Sequence, residues 1–307
     1  HLQITVETPQ RWTLISIALG FSSTIERGLF RMEHHMLLVD IAGRFHRAGS
    51  NLLVTTGGVA IAADRADYVR SLLPSGLPKW GQCTLTQAKD VVQIVARECL
   101  AVGAVTRDLA TPAWHRFWED SADHESMLNR VQGGKAGLLK PANIARTIAL
   151  IDGAVVASGH AAYLSKAIER AEANGPVIID QTLIFDDELG GESREFFMEL
   201  WNGARPQPRT QAVGVTFKTC DVRMTTEQDE PLLMLPDYVA GLHHCVQLAD
   251  AGPNTFPLTA SQANECIAPL RTGKLKTGKG SFDLDYRLMF GGAIADAKTE
   301  MRRRYPN

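Results

Sequence analysis

What this sequence lacks narrows the possibilities before any motif is considered. Its 307 residues contain only five cysteines: Cys83, Cys99, Cys220, Cys245 and Cys266. They are odd in number, widely spaced, and form no Cys-x-x-Cys pair. That argues against a zinc ribbon or a disulfide framework. It is the usage of a reducing, cytoplasmic compartment, where cysteine serves as a small apolar residue. No apolar run reaches the ~18 residues that a spanning helix needs, so no membrane role is expected. The nearest approach to a targeting segment is Thr13 to Phe21. It has only Arg11 as a nearby cation and no clean small-residue cleavage site, which argues against a signal peptide. An excess of one charge is missing too. The formal net charge of −2 gives no global attraction to nucleic acid, and any such binding requires a local basic patch.

Familiar catalytic signatures are also absent. There is no Gly-x-Ser-x-Gly elbow, no His-Glu-x-x-His pair and no Gly-x-Gly-x-x-Gly fingerprint. Gly273 to Lys279 matches the first part of a phosphate-binding P-loop, but Gly280 stands where Ser or Thr should reach Mg²⁺. The stretch Arg271 to Gly280 reads as a mobile basic loop. With Arg302, Arg303 and Arg304 it could form a patch for phosphate backbones, although solvated charge near a terminus is the more ordinary account.

What remains is an ordinary globular composition, 45% hydrophobic and 21% charged, in a chain long enough for a sizeable core. Met36 to Asp40 is a continuous apolar run ending in an acid and reads as a buried strand. A second strand is expected over 51–62, where Gly57-Gly58 suggests a bulge or a close backbone approach. The spacing of Val91, Val92, Val95 and Leu100 predicts a helix over 85–101, capped by Thr84 or Thr86. A third strand is expected over 102–109, followed by a helical stretch whose Trp114, Phe117 and Trp118 suit a core. A long helical pattern over 144–173 stops at Gly175-Pro176, and Val177 to Asp180 forms a short buried strand. Further along come a helix over 192–204, a strand over 211–220, a helix over 232–249 with Pro236 in its first turn, and a final helix over 286–304. Strands alternating with helices predict a three-layer α/β architecture.

Two of these strands end in aspartate, Asp40 and Asp180. A buried carboxylate is costly unless something balances it. Were the two strands neighbours, the carboxylates would repel unless a hard cation bound between them. Aspartate is also a common turn starter, so pattern alone leaves both accounts open.

The order of several short motifs adds to this. Leu37-Leu38-Val39-Asp40-Ile41-Ala42-Gly43, followed by Leu53 to Val59 with its Gly57-Gly58-Val59, resembles the opening of a bacterial family of unknown function numbered 3800 (the DUF 3800 domain). Leu77-Pro78-Lys79-Trp80 resembles that family's Lys-Trp element, and Val177 to Asp180 its central strand. Met234-Leu235-Pro236-Asp237-Tyr238-Val239-Ala240-Gly241 resembles its Asp-x-x-Ala-Gly helix. The landmarks keep the family's order across residues 36–250.

The resemblance implies an RNase H-like three-layer fold, with a mixed central sheet flanked by helices and its first and fourth strands adjacent. It implies a carboxylate cluster holding Mg²⁺ or Mn²⁺ for phosphodiester hydrolysis, with Asp40, Asp180 and Asp237 as metal ligands and Lys79 as a phosphate-facing cation. Helical spacing puts Gly241 and His244 near the face of Asp237, where Gly241 leaves space beside the carboxylate and His244 could carry a proton or serve as a ligand. An ordinary place on an amphipathic helix explains that histidine as well.

This chain departs from the pattern at Ile41 and Leu77, where the family has acids, and at Ala42, Met234 and Pro236. Asp108, Asp186, Asp187 or Glu188 could supply a substitute carboxylate. Two functions are therefore expected from the resemblance. One is a metal-dependent nuclease or phosphodiesterase with a partly degenerate acidic site. The other is a catalytically inactive module that binds nucleic acid or a protein partner. The expected organisation is an extension over 1–31, with Met32 as a plausible start, an α/β domain over 32–250, and an appended loop and helix over 251–307.

Overall fold

The computed structural model describes residues 31–43, 53–112, 114–115, 146, 149–150, 153–154, 161–186, 214–248, 256–271 and 275–281. The expected helices over 192–204 and 286–304, and the triple arginine 302–304, lie outside these residues, as do Phe117, Trp118, Asp187 and Glu188.

Among the described residues six strands form one mixed sheet: β1 (Arg31–Gly43), β2 (Leu53–Ala62), β3 (Ala101–Asp108), β4 (Val177–Asp186), β5 (Val215–Thr225) and β6 (Leu275–Ser281). Their order is β5-β4-β1-β2-β3-β6. The β1-β2-β3 meander is antiparallel, while β4 runs parallel to β1, β5 to β4, and β6 to β3. The first and fourth strands are thus neighbours.

Alternation along β1 sets up the layers. Met36 and Leu38 point to one face, joining Val59, Ile61 and the buried sides of α2 (Leu85–Glu98), α4 (Met234–Gln247) and α5 (Ala260–Arg271). Leu37 and Val39 point to the other face, against Tyr163, Ala167 and Ala171 of α3 (Ala161–Asn174). A short α1 (Ala66–Leu72) follows β2. Helices on both faces of the sheet make the expected α/β architecture.

Local chemistry explains the element ends. Thr84 begins α2 with a capping box: the Gln87 N–H donates to Thr84 Oγ1 at 3.3 Å, and the Thr84 N–H donates to Gln87 Oε1 at 2.9 Å. Pro236 sits in the first turn of α4, where its missing N–H costs nothing. Gly57 is a site of close approach, because a Cβ there would lie 2.5 Å from the Pro236 carbonyl oxygen on α4. Cys83, Cys99, Cys245 and Cys266 are all buried, and Trp114 is buried as well.

Four expectations need correction. The strand read from Met36 to Asp40 does not end at the acid; it begins at Arg31 and runs on to Gly43, still paired with β2. The strand beginning at Val177 does not stop at Asp180; it runs on to Asp186. Gln181 is polar, but it is buried and in hydrogen-bonding contact with Tyr163, so it does not end the strand. The strand expected over 211–220 starts at Val215 and continues to Thr225. The basic glycine-rich stretch is not a mobile loop over its second half: Leu275 to Ser281 pairs with β3 as an edge strand. Lysines are at home on such an edge, because they discourage further strand addition. Among the described residues, no helix is long and apolar enough to cross a membrane.

Candidate metal centre

The parallel strands β1, β4 and β5 bring their C-terminal ends to one edge of the sheet, the edge where open α/β sheets place their ligands. Val39 of β1 faces Phe185 of β4, so the next step in register sets Asp40 beside Asp186. Two residues before each acid, Leu38 and Ile184 belong to the same core layer, so Asp40 and Asp186 share the α4 face. Thr225 of β5 faces Asp186, and the turn behind Thr225 brings Glu227 to the same edge. One carboxylate oxygen from each of Asp40, Asp186 and Glu227 lies within 4.8 Å of the others.

Asp40 is 6% exposed. Burial is the main cause that raises its pKa well above the ordinary carboxylate range, and Asp237 and Asp186 push the same way. The Ile41 N–H, donating to Asp40 Oδ1 at 2.6 Å, opposes this. Asp237, in the first turn of α4, has its pKa raised to about 6, again chiefly by burial. Its Oδ2 accepts the Trp80 N–H at 2.7 Å, which pulls the pKa back down. Asp237 therefore sits beside the three converging acids, with one oxygen already committed to the backbone.

Lys79 reaches the same acids. Its Nζ is 2.5 Å from Glu227 Oε1 and 3.8 Å from Asp186 Oδ2. Partial burial alone would lower its pKa, but Glu227, Asp186 and Asp40 more than offset that and raise it. The loop carrying Lys79 is anchored on α4. The Tyr238 hydroxyl donates to the Pro78 carbonyl at 2.8 Å, and the Trp80 indole fills the notch at Gly241, where a Cβ would come within 2.1 Å of the ring. The space expected beside Asp237 at Gly241 is thus taken by Trp80. Next to Lys79, Asp186 and Glu227 lies an open cleft of about 700 Å³, whose wall includes Arg70, Leu77 and Met234.

The donor set is chemically coherent. Three carboxylates offer hard oxygen ligands of the kind that Mg²⁺ and Mn²⁺ take, without a thiolate or imidazole that would favour a softer ion. Among the described residues this is the group of acids, histidines and cysteines close enough to share an ion.

Two sequence-predicted site residues stand apart from it. Asp180 faces His34, six residues back along β4 from Asp186, roughly 20 Å at strand rise. Its Oδ2 is 3.8 Å from His34 Nδ1. The two strands are neighbours as expected, and run parallel, but Asp180 lies near the beginning of β4 rather than at its end. Asp180→Asn is accordingly expected to leave any metal-induced rise in melting temperature unchanged in a fluorimetric thermal scan. His244 lies seven residues along α4 from Asp237, about 10 Å. Its Nδ1 is 3.1 Å from Thr55 Oγ1, its ring packs edge-on against Phe256, and burial lowers its pKa to about 4. It is a buried, hydrogen-bonded core residue.

Asp186 was among the substitutes the sequence offered, whereas Glu227 was not. A signal for it exists in the acidic turn Glu227-Gln228-Asp229-Glu230, directly after a β-branched strand. It becomes readable only if β5 is carried through to Thr225. Asp108, another candidate substitute, ends β3 and accepts the Ala110 N–H at 2.8 Å. No protein-family model and no curated protein matches the sequence.

Proposed function

We propose that the chain is an RNase H-like, metal-dependent nuclease or phosphodiesterase, a divergent relative of family 3800. Its metal ligands in this reading are Asp40, Asp186 and Glu227. The parallel pairing of β1 with β4 supports the RNase H-like assignment, because the acids gather where the pairing of those two strands ends. The observation that carries the function is the convergence of three carboxylate oxygens within 4.8 Å at the mouth of an open cleft. Like charges so close, one of them buried, call for a cation.

Bound there, Mg²⁺ or Mn²⁺ would activate a water and stabilise the leaving oxygen of a phosphodiester. The remaining tasks belong to the protein. Asp40 is held in place by the Ile41 N–H and supplies a ligand from the core side. Asp186 and Glu227 supply theirs from the cleft side and restore the acid count that Ile41 and Leu77 take away. Asp237 fixes the Trp80 backbone, and through it the loop that carries Lys79. Lys79 brings a positive charge to the cleft wall, where a phosphate would approach.

Titration of the full chain with MgCl₂ or MnCl₂ is expected to raise its melting temperature. At a hundredfold excess over Kd, one site contributes about 2.7 kcal/mol. Incubation with labelled single- and double-stranded DNA and RNA should then show cleavage that EDTA stops. A wild-type protein indifferent to both metals would sink the enzymatic reading. The inactive nucleic-acid-binding or protein-interaction module would then be the surviving account.

A further inference from the structure

The position of Lys79 goes further than a cation near a cleft. Its ammonium touches Glu227 and lies 3.8 Å from Asp186, two of the three acids that converge at the sheet edge. A positive charge therefore already stands among the oxygens that would hold a divalent ion. Two cations cannot share that space, because their repulsion rises as their separation shrinks.

The tether and the arm of this lysine differ in freedom. On either side the backbone is fixed: Pro78 accepts from Tyr238, and the Trp80 N–H donates to Asp237. The Trp80 ring is locked in the notch at Gly241. The Lys79 side chain, by contrast, is 61% exposed and lines the open cleft. Its four-carbon stem can swing outward without disturbing the fold, and lysine's compact, mobile charge suits such exchange better than a planar guanidinium.

We propose that Lys79 is an exchangeable counterion: its ammonium holds the acid cluster together in the metal-free protein, and a divalent cation displaces it into the cleft. This rests on the metal reading above and adds a competition built into the site. Metal affinity is set by the difference between the ion's hold on the acids and the lysine's. The released ammonium then lies at the mouth of the cleft only when the metal is in place, so the charge of the cleft is coupled to occupancy of the site.

The test uses Mn²⁺ binding by the full chain, followed by calorimetry and by the electron paramagnetic resonance of free Mn²⁺. Lys79→Met, with Lys79→Gln as a second neutral variant, is expected to bind Mn²⁺ about tenfold more tightly or better, since a unit charge 4 Å away near a protein surface is a strong competitor. Both variants should also melt lower than wild type when metal-free. Lys79→Arg, which keeps the charge, should not gain affinity. In the wild type, reductive methylation of Lys79, followed by peptide mass spectrometry, should speed up severalfold when Mg²⁺ is added.

The outcomes separate cleanly. Metal binding by the neutral variants but not by wild type supports the inference in its strongest form. Equal or weaker binding by the neutral variants overturns it and leaves the metal reading standing, as does a methylation rate that ignores Mg²⁺ in a protein that binds it. If neither wild type nor neutral variants bind metal, the metal reading falls and takes this inference with it.

Discussion

Asp40→Asn is expected to raise the melting temperature of the metal-free protein while removing its response to Mg²⁺ or Mn²⁺. The two effects have one cause. Asp40 is buried against Asp186 and Asp237, and its charged form is disfavoured by burial first and by those neighbours second. The neighbouring Asp237 is disfavoured as an anion in the same way. Its pKa is about 6 against an ordinary 3.8, and a unit of pKa is worth ~1.4 kcal/mol, so its ionised form costs roughly 3 kcal/mol. An asparagine at position 40 keeps an oxygen for the Ile41 N–H and loses the charge. The metal-free variant should therefore melt higher, by several degrees in a chain of this size.

The pH dependence carries a definite sign. A carboxyl whose folded pKa lies above its unfolded value keeps a proton in the folded state that the unfolded chain has released. Stability from that source is therefore present at low pH and is lost as pH rises through the window from about 4 to 6 set by Asp237. The advantage of Asp40→Asn should accordingly be absent at pH below the ordinary carboxylate range and grow as pH rises above it, because the Asp40 carboxyl is itself held well above that range. Thermal scans with EDTA and with MnCl₂ across that range test both halves. A metal-free variant less stable than wild type at pH 8 would mean that the Asp40 charge holds the fold together rather than awaiting a cation.

How much of this was legible in the sequence depended on how each residue's neighbours are arranged. Asp40 stood out because the run from Met36 to Val39 is apolar on both faces, so the acid marks the end of burial. Asp186 was hidden by Gln181 and Thr182, which look like a strand's end unless the glutamine is known to reach a buried tyrosine hydroxyl. Glu227 was hidden by the same kind of error on β5, and its role depends on a parallel register that no local pattern encodes. Lys79 and Trp80 drew notice only as part of a resemblance. Their physical reason is mutual docking with Asp237, Tyr238 and Gly241, a contact across more than 150 positions of sequence. The edge strand β6 was misread because glycine and lysine are poor strand formers, and pairing with β3 outweighs that preference.

The largest expected loss of stability is that of Gly57→Ala, and it tests whether the site depends on how closely α4 lies on the sheet. Gly57 faces Asp40 across the β1–β2 pair. An added Cβ would lie 2.5 Å from the Pro236 carbonyl oxygen and 2.7 Å from the Ala240 nitrogen, both in the backbone of α4. Backbone atoms have no rotamer by which to give way, so the helix itself must lift. Overpacking of this kind typically costs 1–3 kcal/mol, and about 3 or more is expected where a whole helix must move. In urea the unfolding midpoint should fall accordingly, with little change in slope.

Gly241→Ala meets the Trp80 ring rather than backbone. It should expel the indole from its notch, release the Trp80 N–H from Asp237, and let Lys79 drift from its acids. The two variants therefore separate two ways of damaging one site. Gly57→Ala moves Asp237 with its helix and lowers global stability most. Gly241→Ala leaves the helix seated and instead loosens the Pro78-Lys79-Trp80 loop. If Gly57→Ala unfolds within about 0.5 kcal/mol of wild type, a shift expected only for surface substitutions, α4 does not press on β2 at Gly57. The carboxylate of Asp237 would then owe its position to the Trp80 contact alone.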